Sequence, residues 1–122
     1  MKLHLSQHPG QNLFTHYGDG YVMVNQQRFE RSLIVLPDKL IDDWEPRALD
    51  ELTETHFAFL AGLNAEIVLL GTGAMLRFPH PRLTAPLAAQ RIGFEVMDTY
   101  AVARTYNILM GEGRHVAAAL LL

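Results

Sequence analysis

The sequence predicts an α/β domain, and three observations carry that prediction. Helix-length and strand-length segments alternate through the second half, which points to a parallel or mixed sheet. The first half is spaced at the two-residue period of β-strands. The length, 122 residues, suits one domain spanning 1–122. At 49% hydrophobic and 19% charged, the chain has material for one real core and too much apolar content for a disordered segment.

Taken in order, Tyr21 to Val24 alternates between the turn residues Gly18-Asp19-Gly20 and Asn25-Gln26-Gln27, and Phe29 to Leu36 follows, ending at Pro37. Short β-rich runs broken by Gly, Asp and Asn predict an antiparallel meander. Lys39 to Glu54 is dense in charge and net acidic, which predicts a surface connection; Trp44 within it is expected as a lid on the core. Thr53 is placed to cap a helix through Ala61, with Leu52 and Phe57 as its hydrophobic staple and Gly62 as its stop. Glu66 to Leu70 reads as a strand covered on both faces. It ends at Gly71-Thr72-Gly73, with a brief extension from Met75 to Phe78 before Pro79-His80-Pro81 interrupts it. Thr84 to Ile92 reads as a helix with Pro86 in its first turn and Gly93 as its stop. Phe94 to Met97 is a second covered strand, and Asp98 caps a helix to Met110 with Gly111 at its C′ position. His115 to Leu122 closes the chain as a strand.

Composition removes several classes of function. With no cysteine, a disulfide scaffold, a thiol nucleophile and a Cys-ligated metal centre are excluded. A formal charge of -3 and a pI near 6.0 argue against nucleic acid as the main partner, which needs a clustered basic surface. Met1 to Asn12 lacks the unbroken apolar stretch of about 7–15 residues that a secretory signal requires. The longest apolar run, Val116 to Leu122, falls far short of the roughly 20 residues of a spanning helix. The expectation is a cytoplasmic protein with no direct membrane insertion. No catalytic residue, metal site or cofactor is assigned. Ser6 and Ser32 lack a nucleophile elbow. His4 and His8, in an extended segment, would stand about 13 Å apart. His80 lies between two prolines, and His56 and His115 read as packing residues.

Two candidate sites remain. In open α/β sheets, ligands gather beyond the carboxyl ends of strands, where Gly71, Thr72 and Gly73 follow one strand and Asp98 and Thr99 the next. Glycines let backbone N–H groups approach a ligand, and a helix start offers N–H donors to an anion; Arg77 and Arg82 are near enough in sequence to add charge. This describes a small anionic-ligand pocket. The other reading is a tight turn whose threonine satisfies local backbone, and Asp98 would itself occupy the donors of its helix. No GxGxxG or GxxxxGK[ST] supports a nucleotide-phosphate loop. On the last helix, Val102, Thr105, Tyr106 and Leu109 form a core stripe, while Tyr100, Arg104 and Asn107 fall on the opposite side. Tyr and Arg anchor protein interfaces; a solvated face, with Arg104 paired to Glu112, is the alternative. Ala101, Ala103, Ile108 and Met110 leave little of the helix polar, which predicts cover on more than one side.

The string Gly71-Thr72-Gly73, Asp98-Thr99, Arg104-Thr105-Tyr106-Asn107 and Glu112-Gly113-Arg114, with Tyr17-Gly18-Asp19-Gly20 and Trp44 before it, resembles one family. It includes the mitochondrial respiratory complex I assembly factor 3 and an adipogenesis-associated domain protein. The resemblance implies three layers around a mixed central sheet of about five strands, with an N-terminal antiparallel β layer and room for a last strand antiparallel to its neighbours. It also implies work at the level of proteins: assembly of a membrane respiratory complex, through a protein partner or a second copy of the chain, without known chemistry.

Overall fold

The computed structural model describes residues 10–122; the expectation for His4 and His8 falls outside them. The N-terminal meander forms from β1 (Phe14–Gly18), β2 (Tyr21–Val24) and β3 (Gln27–Phe29), paired antiparallel in that order. Asn25 and Gln26 join β2 to β3 with φ of 50° and 71°, the pair of left-handed residues that a two-residue hairpin matched to strand twist requires. Asn25 also accepts from the Leu13 N–H at 3.0 Å and donates to Asn12 Oδ1 at 2.8 Å.

The stretch from Phe29 to Leu36 is two strands rather than one. The chain leaves the small sheet at Glu30 and begins β4 (Leu33–Leu36) in a larger one. Lys39 to Ile41 is likewise strand β5, paired antiparallel with β4, so the charged segment begins as an edge strand and only then becomes a connection. A lysine at an exposed edge discourages further pairing, and its alternation with half-buried Leu40 is ordinary strand spacing. With β6 (Ile67–Gly71), β7 (Gly93–Met97) and β8 (Val116–Leu120), the five strands follow the order β5-β4-β8-β6-β7. The last strand lies at the centre, parallel to β6 and antiparallel to β4. The mixed character of the sheet arises at that junction.

Strand alternation sorts the core into two halves. Leu33, Val35, Leu69, Val116, Ala118 and Leu120 face helix α3 (Thr99–Gly111) and the small sheet, meeting Phe14, Val22 and Tyr106. Ile34, Leu36, Val68, Leu70, Ala117 and Ala119 face the other way, onto Phe57 and Leu60 of α1 (Glu54–Ala61) and Leu87 of α2 (Ala85–Ala89). Trp44 packs there too, 7% exposed and edge-on to the His56 ring at 6.2 Å. The result is three layers: α1 with α2, the five-stranded sheet, and α3 with the small sheet. All five residues of β8 are buried, and three are alanine, which keeps the central strand thin where both layers press on it.

Local chemistry sets the helix ends. Thr53 and Gly62 bound α1 as predicted, and His56 Nδ1 accepts the Thr53 N–H at 3.0 Å, the service a Glu or Gln gives in a capping box. Asp98 Oδ1 accepts from the N–H groups of Tyr100 and Ala101 at 3.1 and 2.9 Å. At its other end α3 runs through Gly111, and the left-handed residue is Gly113 (φ 83°). Gly113 N–H donates to Met110 O and Arg114 N–H to Leu109 O, both at 3.0 Å. That is a Schellman closure around Glu112, two residues later than the glycine count suggested. Helix α2 is only five residues long, not nine, because Arg91 at φ 57° turns the chain out of it. Met75 to Phe78 forms no strand; those residues leave the sheet as an irregular loop.

Candidate functional site

Parallel pairing brings the two strand ends to one rim. Gly71 at the end of β6 stands opposite Met97 at the end of β7, so Gly71-Thr72-Gly73 and Asp98-Thr99 lie side by side. Thr72 N–H donates to Met97 O at 3.0 Å, and Thr99 N–H to Gly73 O at 2.8 Å. Gly73 N–H donates to Thr99 Oγ1 at 2.8 Å, and that hydroxyl donates onward to Leu121 O at 2.9 Å. Thr72 Oγ1 donates to Met75 O at 2.7 Å while accepting the Arg77 N–H at 3.1 Å. The N–H groups of Thr72, Gly73 and Thr99, and both threonine hydroxyls, are therefore spent within the corner. Asp98 serves the first turn of its own helix, as its position suggested.

Gly71 answers a steric demand. A Cβ there would stand 2.8 Å from Thr99 Cα and 2.9 Å from its Oγ1. Only a bare backbone lets the start of α3 lie this close to the strand. Gly73, at φ 92°, turns the chain through the left-handed region that glycine enters without strain. Arg77 reaches away from the corner: its Nη2 lies 3.2 Å from Asp50 Oδ1, and both side chains are more than half exposed. The Arg82 side chain has no ion pair among the described residues. No group of three or more His, Asp or Glu that could hold a metal ion occurs among the described residues.

The face proposed for partner contact divides. Tyr100 stacks on Tyr17 of β1, with centroids 5.1 Å apart and planes at 27°, and its hydroxyl accepts the Gly20 N–H at 3.0 Å. Arg104 Nη1 donates to the Tyr17 hydroxyl at 2.7 Å, so its partner is an aromatic of the small sheet rather than Glu112. Arg104 remains exposed, as does Ile108 one turn on, at 62%. Asn107 instead is buried: its Nδ2 donates to Phe14 O at 2.7 Å and its Oδ1 accepts the Phe14 N–H at 3.0 Å. It treats β1 as a neighbouring strand would. The wheel placed Asn107 opposite the core stripe, and the cover expected on more than one side of the helix reaches it there. Two sheets flank α3, so the buried arc widens to Thr99, Val102, Ala103, Tyr106, Asn107 and Met110, while Thr105 and Leu109 are half-buried.

Tyr106 ties the same layer together. Its hydroxyl donates to Asn12 O at 2.9 Å, and its ring meets Phe14 edge-on at 5.2 Å. Burial, reinforced by the Asp38 carboxylate, pushes the phenol pKa well above the ordinary tyrosine range. The exposed apolar side chains Met75, Leu76 and Phe78 were not singled out from the sequence. Reading them as a strand extension assigned them to the sheet; the paired prolines that follow were the signal against it.

Fold and rim together define a class: a three-layer α/β domain whose strand-end corner is closed on itself and whose last helix is clasped by a small antiparallel sheet. The chain belongs to the family described as a protein of unknown function (DUF498/DUF598), which it matches over residues 14–121. It is 32% identical over 90 residues to "NADH dehydrogenase (ubiquinone) 1 alpha subcomplex assembly factor 3" of Mus musculus, a match covering 72% of this chain and 48% of that protein. The chain thus spans about half the length of that relative. A crystal structure of a Bordetella parapertussis protein superimposes with a TM-score of 0.82 at 41% identity, covering 92% of this chain and 96% of that one. Another, described as an outer membrane protein of Bartonella henselae, does so with a TM-score of 0.74 at 28% identity, covering 93% and 96%. The family resemblance drawn from the motifs is borne out. No helix among the described residues is long and apolar enough to cross a membrane.

Proposed function

We propose that the chain is a non-catalytic binding module that serves the assembly of a membrane respiratory complex, acting on that complex or its intermediates from the cytoplasm. One observation carries this reading. At the rim where an open α/β sheet receives a substrate, the corner's N–H groups and hydroxyls close on one another. The name of the Mus musculus relative supports the assembly role. The partner-binding residues are Tyr100 and Arg104, joined by Ile108, while Asn107 holds β1 against the helix beneath them. Tyr17 fixes the Arg104 guanidinium in place, which lowers the ordering cost of a contact that Arg and an apolar neighbour are suited to make.

Tagged wild-type chain and Ile108→Asp, expressed in the native host, test the reading by affinity capture. Subunits of a respiratory complex should co-purify with the wild type and be lost from the variant, with the melting temperature nearly unchanged because the side chain is exposed. Equal capture by both would refute the α3 face. Capture of the chain alone, with a doubled mass in solution, would make the partner a second copy. A saturable thermal shift with phosphate or carboxylates, abolished by Thr72→Val, would move the function to a pocket at Gly71, Thr72, Gly73, Arg77, Asp98 and Thr99. Recovery of the protein in washed membranes after high-salt extraction would contradict the cytoplasmic placement.

A further inference from the structure

We propose that the loop of residues 74–82 docks on an anionic lipid surface, with Met75, Leu76 and Phe78 entering the interface and Arg77 and Arg82 meeting the headgroup phosphates. Met75, Leu76 and Phe78 are 73%, 51% and 71% exposed. Three large apolar side chains, open to water within four successive residues, form a patch that a folded protein seldom leaves without use. Exposure of that degree leaves them accessible, as side chains entering an acyl boundary must be.

Along the chain around them the charge has one sign. From Ile67 to Phe94 the chain contains no Asp or Glu, though it carries 13 acidic residues elsewhere. Asp50 pairs with Arg77, its exposed neighbour Glu51 accepts the Arg47 N–H at 3.3 Å, and Asp98 is turned onto the N–H groups of Tyr100 and Ala101. An exposed pair such as Arg77–Asp50 is weak, so a phosphate can replace the carboxylate. Arg91 belongs to the same acid-free stretch but lies next to the start of β7, at the opposite end of the parallel strands, and plays no part. The net charge of -3 is no obstacle, because screening over about 8 Å at physiological salt leaves the local guanidinium groups in control. Pro79 and Pro81 restrict the backbone beside Phe78, so less freedom is lost when the loop meets a surface. Basic and apolar residues interleaved on one exposed loop suit a headgroup layer over hydrocarbon. The proposal stands apart from the α3 face and does not depend on it.

Co-sedimentation of the full chain with phosphatidylcholine vesicles, prepared with and without phosphatidylglycerol, tests it. Binding should require phosphatidylglycerol and weaken as salt is raised. Arg82→Gln should lower partitioning roughly five-fold, and Met75→Ser combined with Phe78→Ser should abolish it. Both changes are at exposed positions, so melting temperatures should hold. Ile108→Asp, on α3, should bind vesicles as the wild type does. Failure of the wild type to bind either vesicle, or binding that the loop variants retain, would overturn the proposal. So would indifference to vesicles combined with loss of an acidic protein partner in the loop variants, which would make the loop a protein contact.

Discussion

Gly71 and Tyr106 show how single residues set the limits of this fold. At Gly71 a methyl group has no place to go, because the nearest atom is the Cα of Thr99 and backbone cannot step aside as a side chain can. Gly71→Ala should therefore cost about 1–3 kcal/mol, the usual penalty for overpacking, read as a lower midpoint in urea at unchanged slope. Tyr106 acts on stability through a proton. The folded state holds the phenol pKa above its ordinary value near 10. The unfolded chain therefore loses its proton first as pH rises. Stability should be flat with respect to this group below about pH 10 and fall above it, since the folded state then binds more protons than the unfolded. Tyr106→Phe should lose about 1 kcal/mol at neutral pH with the bond to Asn12 O and show a shallower alkaline fall. Melting curves of both proteins from pH 8 to 12 decide it; identical slopes would mean that the phenol does not report on folding.

Among the elements, α3 carries the most information. Asn107 pairs with both backbone groups of Phe14, so Asn107→Ala leaves a buried N–H and C=O without partners, at about 1–3 kcal/mol each. Amide exchange at Phe14 should accelerate more than exchange along β8; uniform acceleration would mean that the small sheet is not held separately. The start of this helix was legible because capping is local: an aspartate before an apolar-periodic run needs no knowledge of the rest of the molecule. The cap of α1, and the strands β6 and β7, were legible for the same reason. The far end of α3 was not, because Gly111 and Gly113 both satisfy the composition rule and only the hydrogen bonds around Glu112 choose between them. Cover on more than one side of α3 was legible in its few polar residues, but that the second cover falls on Asn107 was not. A helix wheel shows one preferred face, while the second covering layer comes from residues 14–29, about eighty positions away. Phe29 and Leu33 belong to different sheets, and the polar Glu30-Arg31-Ser32 between them was the local signal that reading one continuous run passed over.

For the molecule as a whole, topology makes the rim. Order along the chain placed each of the two motifs at a strand end, but only the parallel pairing of β6 with β7 makes the segments after them meet. Their mutual use of hydrogen bonds could not be read from order either, since it depends on which donor faces which acceptor across the corner. On this account the corner fastens β6, β7, β8 and α3 together, and partner recognition belongs to the exposed face of α3. Partner capture measured together with melting temperature, on Thr99→Val and Ile108→Asp, separates those roles most directly. Thr99→Val strips the hydroxyl that links Gly73 to Leu121 and should melt several degrees lower while still capturing respiratory-complex subunits. Ile108→Asp should do the reverse, keeping its melting temperature and losing the partner. If Thr99→Val lost capture while holding its melting temperature, and Ile108→Asp kept both, the corner would be where this protein works and the account would be wrong.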